Sequence, residues 1–243
     1  MSQKNASKAP QESSKLDFKL EDAKHRQEWD DFVTAHPEAN FLQSWDFYDF
    51  YLSRGNQVVR RVARNNDGDI IGAYAGVVET AKRGRYLAIA GGPILDWNNK
   101  VLVEQIFQDM RSEGKKHHCV FVRVRPQLEK SEKSLQLMRE LGLKAAPMYL
   151  SVEFAGVLDL HKNEEEILKG MRQRLRRALR KAEKNGIEIE KSTDPADIHE
   201  FYQIELQTAG RHQFVAFSED FLTKQFAAFA KNGEAVLYTA KLN

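Results

Sequence analysis

The sequence has a single cysteine, Cys119, so no disulfide can close within the chain; a reducing compartment is the simpler setting for it. No apolar run approaches the roughly 18–20 residues that a membrane-spanning helix requires. Residues 1–15 (MSQKNASKAPQESSK) lack the apolar stretch of a signal peptide, and their Ser-, Lys- and Gln-rich makeup predicts a disordered tail. No spacing of His, Cys, Asp or Glu suits a metal. His117-His118-Cys119 comes nearest, but adjacent side chains at a strand start alternate faces and do not converge on one ion. Net charge is nearly absent too: 37 Lys and Arg against 35 Asp and Glu leave +2. A pI near 8.5 is too mild to imply nucleic acid by itself. These features predict a soluble, cytoplasmic, metal-free monomer, and 42% hydrophobic residues suffice for a sizeable core.

What charge there is lies unevenly. Between Lys169 and Lys184 stand eight Lys or Arg and one acid, Glu183, so the rest of the chain sums to about −5. The segment also reads as a helix. Asn163 followed by Glu166 resembles a capping box. Ile167, Leu168, Met171, Leu175, Ala178, Leu179 and Ala182 recur at helical spacing as one apolar stripe, and Gly186 sits where a C-terminal glycine belongs. A concentrated cationic helix in a near-neutral protein predicts an anionic partner, most simply one bearing phosphates.

Elsewhere helix and strand signals alternate. Helices are expected at 21–35, 45–54 (capped by Ser44, stopped by Gly55), 102–111 and 131–141. Strands are expected at 57–64 and 69–80, flanking the turn Asn65-Asn66-Asp67-Gly68, and at 85–90, 120–124 and 149–154. After the basic helix come a strand at 187–191, helices from Pro195 to Thr208 and from Ser218 to Lys231, and a strand at 234–242. The order predicts an α/β sandwich of mixed sheets made twice, the second time incompletely. The boundaries expected are a tail at 1–15, a first domain at 16–155 and a second at 156–243. The last strand needs partners, so the chain is expected to be a piece of a longer protein.

Several segments resemble the FemABX family of peptidoglycan bridge peptidyltransferases. They are Phe41-Leu42-Gln43-Ser44-Trp45; Gly92-Pro93-Ile94-Leu95-Asp96; Phe121-Val122-Arg123-Val124-Arg125-Pro126; Val157-Leu158-Asp159-Leu160 with Glu165-Glu166-Ile167-Leu168 and the basic helix; and Thr208-Ala209-Gly210-Arg211-His212 before Phe214. Within the helix Arg176, Arg180, Ala182 and Gly186 match the family's pattern. Four positions depart from it: Arg177 stands for a tyrosine, Ala178 for an asparagine, Gly91 for an arginine, and Tyr51 near a family lysine. The resemblance implies tandem acetyltransferase-like (GNAT-type) domains. It implies transfer of an amino acid from aminoacyl-tRNA, as co-substrate and without another cofactor, to the stem-peptide amine of a UDP- or lipid-linked precursor. Peripheral contact with the inner membrane surface would accompany a lipid-linked one.

The candidate site residues carry alternatives. Arg176 and Arg180 share a helix face at i and i+4 and offer two guanidinium forks to a diphosphate; the bland alternative is a solvated cationic face. Arg172, Arg174, Arg177 and Lys181 are placed to meet tRNA phosphates. Gly92 and Pro93 offer close backbone approach and a fixed turn. Asp96 is a candidate to accept or orient the proton of an attacking amine, or it caps its loop. Ser44 and Trp45 enter as substrate-facing residues through the resemblance, although Trp45 by itself reads as an inter-helix anchor. Arg123 needs a partner if buried, as an ion pair or a substrate contact. Two other functions compete: a CoA-dependent N-acyltransferase and a non-enzymatic anion- or RNA-binding module. CoA users of this fold class carry a Q/R-x-x-G-x-G/A segment at a helix start; Arg111-Ser112-Glu113-Gly114-Lys115-Lys116 comes nearest, but ends a helix and has Lys last.

Overall fold

The computed structural model describes residues 17–82, 84–147 and 156–242. The tail expected at 1–15, the strand expected at 149–154 and the boundary at 155 lie outside the described residues.

The first part is a sheet covered on both faces. Strands β1 (Phe18–Asp22), β2 (Gln57–Asn65), β3 (Ile70–Ala81), β4 (Gly84–Ala90), β5 (Ile94–Leu95) and β6 (Phe121–Arg125) form it in the order β1-β2-β3-β4-β6, with β5 on β3. All pairs are antiparallel except β4 with β6. The period-two pattern of β3 divides its side chains between two cores. Tyr74 and Val78 join Leu102, Ile106 and Met110 of helix α3 (Lys100–Lys116). Ala73, Ala75 and Val77 join Trp29 and Val33 of α1 (Arg26–Ala35), and Phe47 and Tyr48 of α2 (Trp45–Ser53).

Local chemistry sets the element ends. The Ser44 hydroxyl accepts the Phe47 N–H at 3.3 Å at the start of α2, and Gly55, at φ +82°, closes it. Asn65 Oδ1 accepts the N–H groups of Asp67 (3.1 Å) and Asp69 (2.7 Å), building the β2–β3 turn. Asn99 caps α3 through Leu102 N–H. Ser131 caps α4 (Glu132–Glu140).

The helix expected at 21–35 is corrected at its start: Phe18–Asp22 is strand β1, and α1 begins at Arg26. Phe18 and Leu20 pack on the α3-side core while the backbone pairs with β2; tertiary pairing overrides a weak local helix preference.

The second part contains α5 (Glu164–Gly170), α6 (Gln173–Lys184), β7 (Ile187–Ser192), α7 (Ile198–His212), α8 (Glu219–Ala230) and β8 (Leu237–Leu242). β7 and β8 pair antiparallel, Ile187 opposite Leu242. The capping box at Asn163 and Glu166 forms, and Gly186 ends α6 at φ +71°. The single continuous basic helix expected does not: Met171 and Arg172 are extended, and the helix is broken into α5 and α6. Pro195–Asp197 is a 3₁₀ turn ahead of α7, which runs on to His212.

Helix α8 packs on α2 and joins the two parts. Phe221 meets Phe50 edge-on with centroids 4.9 Å apart, and the Arg54 guanidinium lies 4.8 Å from the Phe221 ring centre. Asp46 of α2, fully buried, accepts from Arg26 and from Asn232 Nδ2 (3.1 Å), with Lys231 Nζ at 3.4 Å.

Candidate functional site

The sheet opens where β3 changes partner. β3 pairs with β4 from Ala81–Gly84 up to Val77–Ala88, then with β5 at Ala73–Ile94 and Gly72–Leu95. Between these ladders lie Ala75 on one side and Ala90-Gly91-Gly92-Pro93 on the other. The side-chain amide of Gln43, fully buried, fills the gap. Its Oε1 accepts the Ala75 N–H at 2.8 Å, and its Nε2 donates to Ala90 O at 2.7 Å and Ala75 O at 3.1 Å. The Tyr48 hydroxyl also donates to Ala75 O at 2.6 Å, and burial pushes that phenol well above its usual range. Ladder hydrogen bonds missing from the strands are thus supplied by side chains.

Gly92 and Pro93 stand at this opening, joined by a cis peptide bond and buried. A Cβ on Gly92 would lie 2.7 Å from Gln43 Cδ, and one on Gly91 would lie 2.2 Å from Asn40 Oδ1. The backbone approach expected of these glycines is therefore used by Asn40 and Gln43. Asn40 Nδ2 donates to Gly91 O at 2.9 Å, and Gly91 N–H donates to Arg125 O at 2.9 Å. The loop is held from both sides.

The other expected residues fall around it. Ser44 donates its hydroxyl to Phe41 O at 2.7 Å while capping α2. The Arg60 guanidinium lies 4.1 Å from the Trp45 ring centre, and Trp29 meets that ring edge-on at 6.2 Å. Asp96 is exposed after β5, its Oδ1 accepting from Asn98 N–H (2.9 Å) and Asn98 Nδ2 (3.1 Å). Arg123 lies opposite Ala88 on β6, and among the described residues its buried Nη2 has no hydrogen-bond partner. Among the described residues no group of His, Cys, Asp and Glu is arranged to hold a metal ion, and no helix is long and apolar enough to cross a membrane.

Arg176 and Arg180 sit on the exposed α6, but they are not equivalent. Arg176 Nη1 donates to Met171 O at 2.7 Å, Lys169 O at 3.1 Å and Leu168 O at 3.2 Å, closing the end of α5. A cation on the carbonyl end of a helix is favourable, and this bond holds the α5–α6 joint. Among the described residues Arg180 makes no such contact. Arg176→Ala should therefore speed amide hydrogen exchange across 164–171 several-fold, and Arg180→Ala should leave it unchanged. Titration with inorganic pyrophosphate at low salt should show several-fold weaker binding in the double variant, with Arg180→Ala carrying the larger share.

Sequence reasoning passed over Gln43 and a neighbouring pocket. The glutamine lies within Phe41-Leu42-Gln43-Ser44-Trp45, and an amide followed by the cap-and-helix signal of Ser44 is its only sign. The pocket, of about 120 Å³, opens beside the Gln43 bridge between α2 and the sheet. Phe47, Tyr48, Val77 and Ala88 are buried in its wall, and Tyr51, Glu79 and Tyr86 are half-exposed there.

The chain matches the model of the FemAB family over residues 24–140 and 141–243. Lipid II:glycine glycyltransferase of Staphylococcus aureus is 24% identical over 228 residues, covering 89% of this chain and 54% of the relative. Its counterpart from Staphylococcus aureus strain bovine RF122 / ET3-1 is 25% identical over the same share of each. The crystal structure of FemX superposes with a TM-score of 0.77 at 22% identity, over 92% of this chain and 58% of that one. The mixed-sheet α/β fold expected from the sequence is the one observed. The chain spans about half the length of the curated relatives it matches.

Proposed function

The chain belongs to the FemAB family, and from that premise we propose that it serves an aminoacyltransferase of peptidoglycan bridge formation. In this reading an amino acid passes from aminoacyl-tRNA to the stem-peptide amine of a precursor at the cytoplasmic face of the membrane. A lipid-linked precursor is favoured, because the relatives are named for lipid II and glycine. The observation that carries the reading is a family match running through both the sheet around Gln43 and the part that bears α6. The two-part division at 16–155 and 156–243 belongs to the same proposal, α6 lending its cations to phosphates of the precursor or the tRNA.

The chemistry asks little of the protein beyond placement. The aminoacyl ester is already activated. The amine must be deprotonated, brought in line with the ester carbonyl, and shielded from competing water. A rigid sheet edge beside a pocket can position such a group.

Incubating the protein with [¹⁴C]glycyl-tRNA and lipid II should move label into the butanol-extractable lipid. [¹⁴C]Acetyl-CoA in place of the tRNA should not. Failure to transfer from glycyl-, alanyl- or seryl-tRNA, together with failure to bind lipid II, would sink the proposal.

A further inference from the structure

The pocket beside Gln43 has a composition that points to one kind of ligand. Its wall is apolar and aromatic: Phe47, Tyr48, Tyr51 and Tyr86 surround Val77 and Ala88. Its one ionisable acid is Glu79, opposite Tyr86 in the β3–β4 ladder. Among the described residues Glu79 has no hydrogen bond and no ion pair. Its field reaches the pocket: burial first, and then the Glu79 charge, raises the Tyr51 phenol. Among the described residues no Lys or Arg lines the space. Tyr86 is braced from outside by Phe121, stacked at 5.0 Å and 12°, and Tyr51 by Phe47 and Phe50, at 5.3 and 4.9 Å. Rigid rings around one unpaired carboxylate favour a cation that also brings apolar surface. A primary ammonium on a short stem has both properties. About 120 Å³ is room for a few water-sized groups, which admits a small aminoacyl group or the end of a lysine-like side chain.

We propose that this pocket is a subsite for a primary ammonium group on a short aliphatic stem, with Glu79 as counter-ion and Tyr51 and Tyr86 as walls. Its place in catalysis rests on the transferase reading: either the amino group of the donated amino acid or the accepting amine of the stem peptide is parked there. An acceptor amine bound as the ammonium is held out of reaction and sheds its proton to solvent as it leaves Glu79 for the sheet edge, whereas a donor amino group bound there keeps its proton throughout.

The test uses the whole chain labelled with 3-fluorotyrosine, with the Tyr51 and Tyr86 signals assigned by Tyr→Phe variants. Glycinamide stands for the donor amine and Nα-acetyl-lysine methylamide for the acceptor amine. N-acetylglycinamide and Nα,Nε-diacetyl-lysine methylamide are their neutral counterparts. Saturable shifts of both signals with one or both ammonium compounds, at least tenfold weaker with the neutral ones, are expected, and the tighter compound identifies the source. Glu79→Gln, isosteric and half-exposed, should weaken binding tenfold or more with an unchanged melting temperature; Tyr86→Leu gives a second reading should the first variant unfold. No shift with either ammonium, equal binding of the neutral compounds, or full affinity in Glu79→Gln would overturn the subsite. Loss of transfer with intact ammonium binding would sink the transferase reading alone, and the converse would sink the subsite alone.

Discussion

Gln43→Leu will lower the melting temperature by roughly 10 °C, although leucine has nearly the same volume as glutamine. The substitution adds apolar surface and leaves no cavity, so transfer free energy alone favours it. What opposes it is the backbone on either side of the opening. Ala75 N–H and Ala90 C=O each lose the partner they have in Gln43. An unsatisfied buried polar group costs about 1–3 kcal/mol, so the pair costs about 4 kcal/mol. In a chain of this size 1 kcal/mol is worth about 2–4 °C. Tyr48→Phe tests the same account with the opposite result. It removes one donor from Ala75 O, but Gln43 Nε2 still donates there at 3.1 Å, so the loss should stay near 1 kcal/mol. Thermal unfolding of the two variants separates the cases: equal losses would mean that packing against α2, and not the bridge, sets the stability. The effect should extend to function, because Gly92 lies against Gln43 and carries the edge on which the reaction is proposed to occur.

The elements that could be read from the sequence are those whose signals are local. The Ser44 and Asn163 caps, the Asn65–Gly68 turn and the Gly186 stop each depend on atoms a few residues apart, and each is found where expected. What could not be read depends on partners far along the chain. β1 is a strand because β2, some forty residues later, offers a ladder. The basic segment breaks at Met171, where Arg176 reaches back to the α5 carbonyls, and a periodicity count treats it as continuous. Arg176 and Arg180 were equal in spacing and differ in what they touch. The pocket gathers Leu42, Tyr51, Glu79 and Tyr86 from four elements, so no motif announces it. Gln43 was visible only as a letter in a motif; its meaning lies in Ala75 and Ala90.

Asp46→Ala should uncouple α8 from α2 and lower stability by about 3 kcal/mol. Asp46 is the buried acceptor for Arg26, Asn232 and, at longer range, Lys231. Removing one partner of a buried ion pair commonly costs about 3–5 kcal/mol, because the remaining charge is left without compensation. Here Arg26 retains Asp30 at 3.0 Å and Lys231 is half-exposed, which places the loss at the lower end. Hydrogen exchange distinguishes this from general weakening: amides of 219–230 should exchange at least tenfold faster, while those of β3 slow or speed only with global stability. Asp46→Asn, which keeps two acceptor or donor positions but no charge, should fall between. The cluster also has a pH signature. Burial, and then the Asp46 charge, raises the Glu234 carboxyl above its usual range. An acid raised in the folded state adds stability below its unfolded value that is lost as pH rises through the folded one. Glu234 therefore opposes docking of α8 at neutral pH and ceases to do so on acidification. Glu234→Gln should remove that slope between about pH 4.5 and neutrality and protect 219–230 slightly at pH 7. An unchanged slope in that variant would assign the pH dependence to other carboxylates and leave Asp46 as a purely electrostatic staple.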